Sequence, residues 1–107
     1  MEFYKDLYWS GSLEKKKEKI LRGLKRGKIK LHLYLIVLPR REKNQLEFFD
    51  ALLLRQKWFR QTAGQLKVVG ITNGYEEALE MVRHIMEETV NRTGKADIRT
   101  YLEQNWK

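Results

Sequence analysis

Between Ile29 and Leu38 the apolar residues of this chain take a period of two, and this stretch restricts the fold more than any other. Ile29, Leu31, Leu33, Leu35 and Val37 share one face. Lys30, His32 and Tyr34 begin the other face, which turns apolar at Ile36 and Leu38. Alternate residues of a strand point to opposite sides, so the pattern predicts a strand entering a core. Pro39 ends it, because proline has no N–H to donate to the next rung. At 107 residues the chain has room for one such core and not for two.

The flanking segments supply helices. Ser12 suits an N-cap and Gly27 a left-handed C-terminal residue, which predicts a helix over residues 12–26. Leu13, Ile20, Leu21 and Leu24 form its narrow apolar stripe. At about 100° per residue, Lys15, Lys19, Arg22 and Arg26 gather on the opposite side. Phe3, Tyr4, Leu7 and Tyr8 also have helix-compatible spacing, so the first nine residues are read as a short amphipathic turn or helix, broken at Ser10-Gly11. After the turn RREKN, Gln45 to Phe49 reads as a second strand in a hairpin with the first, and Asp50 as the cap of a helix ending near Gly64. The alternative is one longer helix from Asn44, since Asn44 and Glu47 have capping-box spacing. Leu66 to Thr72 is a third strand. Asn73 and Glu76 form a capping box for a helix over residues 74–93, stopped by Gly94, and a last short helix starts at Asp97. The expected class is α+β: one small domain over residues 1–107, with a mainly antiparallel sheet of about three strands covered by helices. Residues 1–27 form its helical basic N-terminal segment and residues 29–104 its sheet-and-helix body.

The strings NQLEFF, KVVGITNGYEEALEMV and TGKADIRTYL resemble a group of short bacterial proteins of unknown function, over most of residues 30–102. The resemblance implies no activity, cofactor or substrate. It supports the strand-to-helix reading at Val69 to Ala78 and a single compact domain.

Charge is unevenly placed. The net charge is +8, with 22 basic against 14 acidic side chains. Residues 1–30 carry ten basic and four acidic groups, a net of +6. Residues 71–107 carry five basic and seven acidic groups, a net of −2. A basic front attracts a polyanion or the acidic back of another copy.

Catalytic patterns are sparse. The chain has no cysteine, which excludes disulfides, thiolate metal sites and cysteine nucleophiles. Ser10 and Ser12 lie far in sequence from both histidines, and no Gly-x-Ser-x-Gly elbow is present. His32 reads as a residue of the sheet rim. His84, between Glu80 and Glu88 on the long helix, reads as surface rather than a metal ligand. Gly70 and Gly74 bracket a strand-to-helix turn, but Glu76, Glu77 and Glu80 place negative charge where a phosphate would sit. Glu47 and Asp50 read as a strand residue and a cap. No catalytic, cofactor or metal residues are assigned, and an enzyme working through His32 or Glu47 is the least favoured reading.

The expectation is therefore a small basic non-enzymatic binding domain that contacts nucleic acid or an acidic protein. Its expected polyanion-binding residues are Lys15, Lys19, Arg22, Arg26 and Lys28, with Arg40 and Arg41 from the hairpin turn. A further basic cluster, Arg55, Lys57 and Arg60, interleaves with Trp58 and Phe59, whose rings suit stacking on unpaired bases. The alternative is a homodimer made by a sheet edge and the N-terminal aromatics Phe3, Tyr4, Tyr8 and Trp9. The longest apolar run, Leu33 to Leu38, falls far short of the ~18 residues of a spanning helix. The first ten residues have acids among their aromatics and no apolar signal core, so the expected location is the cytoplasm.

Overall fold

The computed structural model describes residues 1–29, 32–39, 45–63 and 66–106. In chain order its elements are β1 (Glu2–Trp9), a 3₁₀ segment (Gly11–Lys16), α1 (Lys17–Lys25), β2 (Leu33–Leu38), β3 (Glu47–Asp50), a second 3₁₀ segment (Ala51–Arg55), α2 (Lys57–Ala63), β4 (Lys67–Asn73), α3 (Tyr75–Thr93) and α4 (Ile98–Gln104). The sheet order is β1-β4-β2-β3, with β1 parallel to β4 and the other two pairings antiparallel.

Both faces of the sheet are apolar, so both are covered. Leu33, Leu35 and Val37 of β2 join Val68 and Ile71 of β4 against Leu13, Ile20, Leu24, Ile29, Ala51 and Leu54. That first core lies under the 3₁₀ segments and α1. Ile36, Leu38 and Val69 face the other way, onto Ile85 of α3 and Ile98 and Leu102 of α4. Leu35, Ile36, Val68, Val69 and Ile71 have no exposed surface. Burying each such side chain contributes about 1.5–3 kcal/mol before the entropy of ordering it is counted.

The α+β class is as expected, while the sheet has four strands and is mixed, where about three mainly antiparallel strands were expected. The added strand is β1, which replaces the amphipathic turn or helix expected over residues 1–9. Its register against β4 is irregular. Phe3 is opposite Val68 and Tyr8 opposite Gly70, so five steps along β1 match two along β4. Alternation along the strand puts Tyr4 and Tyr8, four residues apart, on the same side, with their rings stacked at 6.2 Å and 8°. Four-residue spacing on one face thus arises here without a helix.

Smaller differences follow the hydrogen bonds. The helix expected over residues 12–26 begins as a 3₁₀ segment, and Ser12 donates to Glu77 Oε1 at 3.2 Å instead of capping. The Asn73–Glu76 capping box does not form. Gly74 is the cap, with φ +89°, because the Asn73 N–H donates to Ser10 Oγ and the Gly74 N–H to the His32 carbonyl. His32 itself lies in an exposed turn at φ +69°, ahead of β2 rather than in it. The strand reading of Gln45 to Phe49 holds as β3, and Asp50 accepts from the Leu52 N–H at 2.9 Å. The turn RREKN, residues 40–44, lies outside the described residues. Gly94 ends α3 in the left-handed conformation and Asp97 caps α4, both as expected.

One carboxylate ties the second face together. Glu88 of α3 accepts hydrogen bonds from the hydroxyls of Tyr8 in β1 and Tyr101 in α4. Burial, then the hydrogen bond and charge of Glu88, push the Tyr8 hydroxyl far above its ordinary range. Tyr101 is raised by the same causes in the same order. Among the described residues no helix is long and apolar enough to cross a membrane.

Candidate anion-binding site

Helix α1 has two sides with different fates. Ile20 and Leu24 are buried in the first core. Lys17 and Lys25 lie over the rings of Trp9 and Phe3, each 5.8 Å from the centroid, which sets α1 antiparallel to β1. The remaining line is Lys19, Arg22, Gly23 and Arg26, a spacing of three, four and seven that brings them onto one helical face.

The chain then folds back over that face. Gly27 adopts φ +76°, and the Gly27 N–H donates to Leu24 O at 3.3 Å and the Lys28 N–H to Gly23 O at 2.8 Å. These two bonds form a Schellman motif, which needs a residue free to be left-handed at Gly27. The reversal sets Lys28 and Ile29 across from the helix. Gly23 admits it: a Cβ there would stand 2.8 Å from the Lys28 carbonyl oxygen. Ile29 is buried, and its carbonyl accepts from Arg55 Nη2 at 3.1 Å, which fixes the returning segment from behind.

The result is a cavity of about 440 Å³ lined by Lys19, Arg22, Gly23, Arg26, Lys28 and Ile29. Among the described residues, four of the six that line it are cations and none is an acid. Among the described residues, none of the four forms an ion pair. Lys17 pairs with Glu14 at 2.8 Å, as the local spacing suggests, whereas Glu18 and Arg22 do not pair. The last turn of α1 directs carbonyl dipoles at this end, which by itself disfavours an anion. Four side-chain charges outweigh a helix end worth about half an elementary charge.

Of the expected polyanion-binding residues, Lys19, Arg22, Arg26 and Lys28 are brought together. Lys15 is not: it is exposed on the 3₁₀ segment, where three residues complete a turn and the α-helical phase is lost. Arg40 and Arg41 lie outside the described residues. Sequence reasoning missed Gly23, Ile29 and the bond from Arg55 to Ile29. A glycine inside a helix between basic residues was a signal for the first; nothing local marks the other two.

A second cavity, of about 410 Å³, brings Ser10 and Ser12 beside His84, Glu77 and Glu80 at the carboxyl ends of β1 and β4. Sequence separation hid this proximity. The hydroxyls are engaged elsewhere, Ser12 with Glu77 and Ser10 with the Asn73 N–H, and among the described residues no hydrogen bond joins His84 to either. His84 instead meets the edge of the Tyr8 ring at 6.0 Å. The N-terminal aromatics are taken up by the body: Tyr4 is buried, and Phe3, Tyr8 and Trp9 pack partly buried on the two cores. Comparison of the chain with protein-family models, with curated proteins and with solved structures gives no match.

Proposed function

We propose that this chain is a non-enzymatic binding domain of the bacterial cytoplasm that holds nucleic acid by its phosphates at the α1 cavity. The carrying observation is that Lys19, Arg22, Arg26 and Lys28 line one cavity with no acid among its described lining residues. Cations crowded without counter-charges repel one another, and an incoming phosphate relieves that repulsion while releasing condensed counterions. The net +6 of residues 1–30 steers the same partner to the same end.

The test is a salt titration. Lys19→Glu, Arg22→Glu, Arg26→Glu and Lys28→Glu combined should abolish binding to nucleic acid. Replacement of the four by Gln should lower the slope of log K against log salt by about 3. Lys15→Glu, outside the cavity, should cost far less. All five side chains are exposed, so the circular dichroism of each variant should match the parent. Retained affinity and slope in the four-Gln variant would overturn the reading.

A further inference from the structure

We infer that the nucleic acid taken at this site is single-stranded and that Trp58 is the platform on which one of its bases stacks; this rests on the nucleic-acid reading above. Trp58 is 64% exposed, more than the other exposed large apolar side chains, Tyr75, Leu79 and Val90. Its ring meets that of Phe59 edge to face, centroids 5.6 Å apart, and Phe59 meets Phe49 at 5.0 Å beside the first core. The indole is thus braced from within while most of its surface stays in water.

Its place in the chain ties it to the cavity. Arg55 Nη2 holds the carbonyl of Ile29, a lining residue, and Trp58 follows Arg55 by three residues, at most about 10 Å of chain. Lys57 and Arg60 are near neighbours of Trp58 in the chain, and among the described residues neither forms an ion pair. A duplex keeps the faces of its bases inside the stack, so an outward indole gains nothing from it. An unpaired strand offers a base face and a phosphate together.

The experiment measures binding of the full chain to a labelled oligothymidylate of about twelve nucleotides, within the usual site sizes, and to a duplex of equal length at the same salt. The parent should prefer the single strand, with its tryptophan emission quenched on binding. Trp58→Ala should weaken single-strand binding about tenfold and duplex binding little. Trp58→Phe should keep most of the affinity and lose most of the quenching. The side chain is mostly exposed, so both variants should unfold at the parent's urea midpoint. Equal affinity for the two forms, with Trp58→Ala altering neither, would overturn this inference and leave the phosphate-binding reading standing. Failure to bind either form at low salt would overturn both.

Discussion

Gly23 shows how one missing side chain shapes a site. Inside α1 an alanine is intrinsically better than glycine by about 1 kcal/mol. Here the added Cβ would meet the Lys28 carbonyl at 2.8 Å, and the atom it meets is backbone, held by the Lys28 N–H bond to Gly23 O. Forcing extra volume into such a contact typically costs about 1–3 kcal/mol. Gly23→Ala is therefore expected to destabilise the fold by about 1 kcal/mol net and to weaken anion binding, because the wall carrying Lys28 must move. Urea midpoints and a binding titration on the same variant check both, and a stabilised variant would show that the return segment yields freely. At this scale the sequence was half legible. Lys19, Arg22 and Arg26 share a face by helical period alone, and Gly27 announces a helix end. The closeness of Lys28 to Gly23 depends on the path after the turn, which no periodicity encodes.

At the scale of elements, strands and helices with plain alternation or plain 3.6-residue spacing were legible. These include β2, β4, α3 and α4. β1 was not, because residues four apart share a face in a strand as well as on a helix, so Tyr4 and Tyr8 suit either. The Asn73–Glu76 capping box misled because backbone donors at 73–74 find Ser10 and His32, distant in sequence. The tie from β1 and α4 to α3 has a pH consequence. The Tyr8 and Tyr101 hydroxyls are both held above the ordinary value of 10.0, so the folded state keeps protons that the unfolded chain gives up. Their contribution is complete below that value and is lost as pH rises from it toward the folded-state values. Tyr8→Phe with Tyr101→Phe should lower stability by about 1–3 kcal/mol at neutral pH, since Glu88 loses both donors. The same variant should flatten the fall in stability above about pH 10, followed by urea midpoints and tyrosinate absorbance. A fall as steep as the parent's would locate the alkaline sensitivity elsewhere.

For the whole molecule, the decisive point is that the sheet is closed by its N-terminal strand. Were the aromatics of residues 2–9 a free dimer surface, deleting them would leave a folded monomer. As β1 they cover one side of β4 and contribute Tyr4, Phe3 and Trp9 to the two cores, so deletion should abolish cooperative unfolding and expose apolar surface to a hydrophobic dye. A truncated chain with a sharp transition and half the parent's mass in solution would restore the dimer reading. The alternation of β2 already held the clue to two covered faces, in Ile36 and Leu38 opposite Leu35 and Val37. The parallel pairing of β1 also dictates an order of events during synthesis. Phe3 pairs beside Val68, 65 positions on, so β1 leaves the ribosome well before the strand it pairs with. At about 5–20 residues per second that interval is roughly 3–13 s, during which Phe3, Tyr4, Tyr8 and Trp9 have no sheet to join. A nascent chain of this kind has a long window for chaperone capture at residues 3–9, and closes it only when β4 is made.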